Sequence, residues 1–192
     1  MITTLILPGL YDSGPEHWQS HWERVDPSCH RVVQADWETP RCGDWVATLD
    51  AAIGAHATPH GGPVTLVAHS AACAMVAHWA RDAAPAQRAR VRGALLVAPS
   101  DPEGPRYPAG PTGFAPMPMR PLPFPSIVVA SPDDEYVTPA TARAYADAWG
   151  SRYVELPPCG HVNSASGLGM WPTGYALLEE LRALPTRVHA TA

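Results

Sequence analysis

Apolar residues gather along this chain in short unbroken runs, separated by longer stretches of mixed character. The runs are Thr3–Leu7, Arg31–Gln34, Val64–Ala68, Ala94–Ala98, Ser126–Ala130 and Tyr153–Leu156. Each has the length of a strand, and most are rich in Val, Leu or Ile. They do not alternate apolar with polar positions, which argues for a parallel sheet covered on both faces. The stretches between them carry helical spacing. Asp44 is placed to cap a helix running to His56, with Val46, Leu49 and Ile53 on one side. A second helix spans Ala71–Arg81. Thr138-Pro139 has the form of an N-cap followed by proline at the first helical position, and opens a helix to Trp149 that Gly150 closes. A last helix runs from Pro172 to Ala183, with Tyr175, Leu177, Leu178 and Leu181 along it.

Strand and helix in repeated alternation predict an α/β fold. Its sheet has about six strands, mostly or wholly parallel, with helices on both faces. With 192 residues and no internal repeat or boundary, residues 1–192 are expected to form a single domain. In such folds ligands bind beyond the carboxyl ends of the strands, so the residues that follow each run are the place to look for chemistry.

Composition narrows the classes. The chain is 46% apolar and 16% charged, the balance of a globular protein. A net charge of -5 argues against a nucleic-acid partner. No run reaches the ~20 apolar residues of a membrane span, and the first residues lack the basic start of a signal peptide. A cytoplasmic protein without membrane attachment is therefore expected. Cys29, Cys42, Cys73 and Cys159 form no C-x-x-C pair and are expected to be reduced, mostly as small buried side chains.

The third run continues as Ala68-His69-Ser70-Ala71-Ala72. A strand that feeds directly into a serine and then a helix is the setting of a nucleophile elbow. Close approach of strand and helix there requires small residues two before and two after the serine, usually glycines. Ala68 and Ala72 add one methyl each. The competing reading makes Ser70 an ordinary helix cap. A serine nucleophile needs a base oriented by a carboxylate, and in this fold the chain order is serine, acid, histidine. Asp134 lies three residues after Ser131 and three before Val137, beyond the fifth run, and is the expected acid. Asp133 is the alternative, and either can instead serve the turn. Gly160-His161, beyond the sixth run, supplies the base. Ser70, Asp134 and His161 each follow a different predicted strand, in the order required.

The first run ends in Leu7-Pro8-Gly9-Leu10-Tyr11. Its turn is expected to give one oxyanion N–H, from Leu10 with Tyr11 as the alternative, and Ala71 gives the other. Tyr11, His17, Trp18 and His69 are the expected substrate-binding residues, with His17 and Trp18 either lining the pocket or packing beneath the first loop. His17 and His21 stand four apart, a zinc-compatible spacing, but Trp18 occupies the position of the catalytic glutamate in H-E-x-x-H. No metal is expected. The stretch from Asp101 to Pro125 holds nine of the chain's 23 prolines, which excludes a long helix. Its Tyr107, Phe114, Met117, Met119, Leu122 and Phe124 make it either an apolar wall or lid over the site, or a rigid loop covering core.

Pro8-Gly9, Ser13-Gly14, His17-Trp18-Gln19 with Trp22, the Ala68-His69-Ser70 elbow, Gly160-His161-Val162-Asn163 through Ser166-Gly167, and Trp171-Pro172 with Gly174 together resemble a known family. It comprises the small serine hydrolases related to retinoblastoma-binding protein nine and their bacterial counterparts. The resemblance covers essentially the whole chain. It implies a compact α/β-hydrolase with a triad of Ser70, Asp134 and His161. The triad chemistry itself leads to the expectation of hydrolysis of a small-molecule ester, thioester or amide through an acyl-enzyme, a small carboxylic ester first, with no cofactor. Ala72 departs from the glycine common at that point of the elbow. A partner-binding protein with an idle triad is the competing reading, since human-type relatives are named for partner binding.

Overall fold

The central apolar runs become strands because the backbone of a buried segment must find its hydrogen bonds in a ladder. The computed structural model describes residues 2–57 and 62–185. Among them lie β1 (Thr4–Leu7), α1 (Trp18–Val25), β2 (Cys29–Arg31), α2 (Cys42–His56), β3 (Val64–His69), α3 (Ala71–Asp82) and α4 (Pro85–Arg88). These are followed by β4 (Val91–Val97), β5 (Ser126–Ala130), α5 (Pro139–Trp149), β6 (Arg152–Glu155), a short 3-10 turn (Ser164–Ser166) and α6 (Pro172–Arg182). The strands form one sheet in the order β2-β1-β3-β4-β5-β6, and every pairing is parallel.

Although the central strands are almost wholly apolar, their period of two still sorts side chains between two cores. Leu5, Leu7, Leu66, Ala68, Leu96 and Val128 face α2, α3 and α5. Ile6, Val67, Leu95, Val97, Ile127 and Val129 face α1 and α6. The core beside α2, α3 and α5 carries tryptophans whose ring N–H groups are satisfied: Trp45 donates to the Asp36 carbonyl, Trp79 to Asp50 and Trp149 to the Pro118 carbonyl. Among the described residues no helix is long and apolar enough to cross a membrane.

The helix from Thr138 forms as its caps predict. Thr138 Oγ1 accepts from the Thr141 N–H, and Gly150 closes it at φ 67°. Three details differ from the expectation. β2 lies at Cys29–Arg31 rather than 31–34: its ladder pairs only with Thr4–Ile6 of β1, the Val32 N–H makes the last bond, to the Ile6 carbonyl, and Val33 beyond it is exposed. Asp44 sits in the first turn of α2 and not at its cap, which is Arg41. The short α4 and the 3-10 turn carry too few residues to show a period.

The proline-rich stretch from Asp101 to Pro125 is chiefly a covering loop. Phe114, Met117 and Phe124 are buried in the core beside α2 and α3. Its backbone is tied down as well: Cys42 N–H donates to the Thr112 carbonyl, His78 to the Phe114 carbonyl, and Leu122 N–H to the Trp149 carbonyl. Only Tyr107 and Pro108 of this stretch reach the cavity described below.

The chain leaves β1 toward β2 on one side and then crosses to β3 on the other. The loops after β1 and β3 therefore diverge, and a crevice opens between them at the carboxyl edge of the sheet. Gln19, fully buried, bridges that point. Its amide donates to the carbonyls of Leu7 (3.2 Å) and Val67 (3.1 Å), and its oxygen accepts from Ser13 Oγ (2.6 Å).

Candidate active site

β3 delivers Ser70 to the crevice with φ 59° and ψ -128°, immediately before α3. A non-glycine residue in that conformation costs about 1–3 kcal/mol and is a mark of functional sites. Ser70 makes no side-chain capping bond to α3, so the cap reading fails. Its N–H donates to the Val97 carbonyl at 2.9 Å, tying the turn to β4. Ala68 and Ala72 are fully buried, as the tight strand-to-helix packing demands. Gly9 presses against the turn from the other side. A Cβ there would lie 2.7 Å from Ser70 Cβ, so no larger residue fits without movement.

Ser70 Oγ lies 2.8 Å from His161 Nε2. His161 Nδ1 lies 2.9 and 2.8 Å from the two carboxylate oxygens of Asp134. The Asp134 side chain is fully buried and also accepts from the Tyr136 N–H. Contact with two acceptor oxygens fixes the Nδ1 proton, leaving Nε2 of the neutral ring as an acceptor aimed at Ser70. Asp133, the alternative acid, turns the other way. Its Oδ1 accepts from Ser131 Oγ and from the N–H groups of Cys159 and Gly160, which holds its carboxyl below the usual range and clamps the loop that carries His161. Spacing alone cannot separate two adjacent acids; the direction of each side chain does.

The first turn lies where the sequence places it. Tyr11 N–H donates to the Trp37 carbonyl at 2.8 Å and is occupied. Among the described residues the N–H groups of Leu10 and Ala71 have no protein acceptor. Ala71 also stands at the N-terminus of α3, where the helix dipole favours negative charge.

Around these groups lies a cavity of about 370 Å³, lined by Leu10, Tyr11, Asp12, His17, His69 and Ser70 on one side. Ser100, Tyr107, Tyr136, His161 and Asn163 line the other. Three of the four expected binding residues, Tyr11, His17 and His69, are part of that wall. Trp18 is not. Its indole is buried against Trp22 and Trp171, and its ring N–H donates to the Val162 carbonyl at 2.8 Å, so it steadies the His161 loop from behind. It sits within α1 and faces the core, an orientation its proximity to His17 in sequence does not reveal.

His17 caps α1, with Nδ1 accepting from the Gln19 N–H. Burial, with smaller repulsions from Arg31, His161 and His21, pushes its pKa down to about 3. His69 lies between His17 and His161, its ring centroid 4.7 Å from the first and 4.9 Å from the second. Burial also holds His69 well below the ordinary histidine range, and its Nε2 donates to the His161 carbonyl. His21 instead pairs with Arg24. Among the described residues no group of three His, Cys, Asp or Glu side chains is gathered to hold a metal ion. Several lining groups escaped the sequence reading, two of them in contact with the Ser70–His161 pair. Tyr136 packs its ring 4.6 Å from that of His161, and Ser100 Oγ lies 2.8 Å from Ser70 Oγ. The position of Ser100 just past a strand was the available signal.

An all-parallel sheet with a strained serine at its switch point defines the α/β-hydrolase class, and solved structures agree. A YdeN-like hydrolase from Pectobacterium atrosepticum superposes with TM-score 0.79 at 30% identity, over 94% of this chain and 90% of that one. The ydeN gene product of B. subtilis gives TM-score 0.70 at 19% identity, over 96% and 100%. A thermophilic esterase from Thermogutta terrifontis gives 0.65 at 16%, over 95% and 90%, a likeness of fold. No curated protein matches the sequence. The family model described as "Serine hydrolase" matches residues 4–180, and the chain belongs to that family.

Proposed function

We propose that this hydrolase cleaves a small carboxylic ester through an acyl-enzyme on Ser70. The observation that carries the proposal is the continuous line from Ser70 Oγ through His161 to the buried Asp134 carboxylate, with every contact at 2.8–2.9 Å. Ser70 attacks the carbonyl carbon while His161 Nε2 takes its proton, and His161 then returns that proton to the departing alcohol. Water attacks the acyl-enzyme by the same route, and the acid leaves. Asp134 orients the imidazole and stabilises its charged form. The N–H groups of Leu10 and Ala71 receive the oxyanion.

The cavity volume supports a short acyl group, since about 370 Å³ lies near the lower end of the roughly 300–1,000 Å³ usual for ligand sites. Thioesters and amides share this chemistry and differ in how the pocket fits them. The test is intact mass after treatment with a fluorophosphonate. A single adduct on the wild type, absent from Ser70→Ala, is expected, together with faster turnover of p-nitrophenyl acetate than of a long-chain ester. A folded wild type that takes no adduct, or a Ser70→Ala variant that still takes one, overturns the assignment.

A further inference from the structure

Ser100 touches the same oxygen as His161. It lies just past β4, 3% exposed, with its hydroxyl 2.8 Å from Ser70 Oγ and no other partner among the described residues. The backbone on either side is fixed. Ala98 is held at φ 50° with its N–H on the Val129 carbonyl, Pro99 follows, and Asp101 N–H donates to the Tyr136 carbonyl. Asp101 is anchored again by the Tyr145 hydroxyl at 3.0 Å.

Counting protons gives this contact a direction. With the Nδ1 proton of neutral His161 committed to Asp134, Nε2 can only accept, so the one proton of Ser70 goes to Nε2. A hydrogen bond between the two serines then exists only if Ser100 donates and Ser70 Oγ accepts. The strength of that bond varies along the reaction. A free hydroxyl oxygen is a good acceptor, and so is an oxygen leaving with negative charge. The bridging oxygen of an ester is a poor one.

We propose that Ser100 is a donor that acts on the second half of the reaction, hydrolysis of the acyl-enzyme. In that step water attacks the acyl carbon, His161 takes a proton from the water, and the tetrahedral species collapses. The bond from carbon to Ser70 Oγ breaks, and His161 gives its proton to that oxygen. Oγ passes from ester oxygen to leaving oxygen, so the Ser100 bond strengthens from ground state to transition state, and only such a differential bond accelerates a step. In acylation Oγ starts as a hydroxyl that already accepts from Ser100, so the same bond contributes little net acceleration.

This inference rests on Ser70 as the nucleophile, and its test separates the two. Stopped-flow hydrolysis of p-nitrophenyl acetate follows the burst (acylation) and the steady state (deacylation). In Ser100→Ala the steady-state rate is expected to fall about tenfold, the rate equivalent of one hydrogen bond lost in the transition state. The burst rate holds, so kcat and KM fall together while kcat/KM stays near the wild-type value. Ser100→Thr, which keeps the hydroxyl, restores deacylation, and Ser100→Val, of similar shape without it, does not. This isosteric pair carries the comparison alone if the alanine variant fails to fold. Equal losses in kcat and kcat/KM, or no loss in Ser100→Ala and Ser100→Val, overturn the inference. If Ser70→Ala still turns over the ester, or the wild type does not, the nucleophile assignment falls and this inference with it. If turnover depends on Ser70 but not on the Ser100 hydroxyl, the inference falls alone.

Discussion

His17 makes stability depend on pH in a way that one substitution isolates. Folding buries its ring as the cap of α1 and pushes its pKa down to about 3, whereas the unfolded chain titrates near the ordinary value of about 6.5. Between those values the unfolded state holds a proton that the folded state does not. Stability is therefore fully present above the unfolded pKa and is lost as pH falls below it. Integrating from about pH 7 to about pH 5 gives a loss of about 2 kcal/mol from His17 alone. Asn is a favoured helix cap and can accept from the Gln19 N–H as His17 Nδ1 does, so His17→Asn removes the titration while keeping the cap. Urea unfolding at the two pH values measures both proteins. The wild type is expected to lose about 2 kcal/mol more than His17→Asn over that interval, whatever the substitution does to stability at neutral pH. The buried His69 ring shifts in the same direction and remains in both proteins, so it cancels. Parallel losses in the two proteins refute the claim that His17 is held neutral by the fold.

Two further substitutions probe the frame of the site. Gln19→Leu removes a second hydrogen bond from the Leu7 and Val67 carbonyls, which keep their ladder bonds between β1 and β3, and leaves the buried Ser13 hydroxyl without its acceptor, and is expected to cost about 1–3 kcal/mol in urea unfolding. A cost below about 1 kcal/mol would mean that water satisfies those groups. Ser70→Gly places at φ 59°, ψ -128° the residue that adopts such a backbone freely, so stability is expected to rise by about 1 kcal/mol while fluorophosphonate labelling disappears. A less stable glycine variant would show that the Ser70 hydroxyl contributes more to the fold than its backbone costs.

Where the determinants are local, the sequence was sufficient. Thr138, Pro139 and Gly150 act on their own helix, and its ends lie where those residues put them. The strand-to-helix turn at Ser70 was legible because the apolar run Val64–Ala68 ends two residues before it and helical spacing begins directly after it. Where a position is set by another part of the chain, the sequence fell short. β2 ends where the chain turns away from β1 after the Val32 N–H bonds the Ile6 carbonyl, and the apolar Val32-Val33 pair drew the expectation past that point. Asp133 and Asp134 share one turn, and only the approach of the His161 loop assigns one to the imidazole and the other to the N–H groups of Cys159 and Gly160. Trp18 was left between pocket wall and core for the same reason: Trp22, Trp171 and the Val162 carbonyl determine which way it faces. Ser100 belongs to no motif, and its meaning comes from an atom 30 residues away in the chain.

The distribution of strain explains why so much of the surrounding hydrogen bonding serves the site. Tyr11, Asp12, Ser70, Ala98 and Val162 all have positive φ, and all lie in the loops that leave β1, β3, β4 and β6 at the carboxyl edge. Each costs energy that its own side chain does not return, so each persists only because neighbouring groups over-determine it. Those groups are identifiable. Tyr11 N–H is taken by the Trp37 carbonyl, Ser70 N–H by Val97, and Ala98 N–H by Val129. Asp12 is paired with Arg31, and the Val162 carbonyl is held by Trp18. All these partners lie outside the line of Ser70, His161 and Asp134, and most come from core strands or from α1. The arrangement places the cost of holding reactive groups in position on the parts of the fold best able to bear it. Three of the partners are backbone carbonyls that no substitution removes; Arg31 acts through its side chain, so Arg31→Ala should lower turnover at temperatures where the chain is still folded.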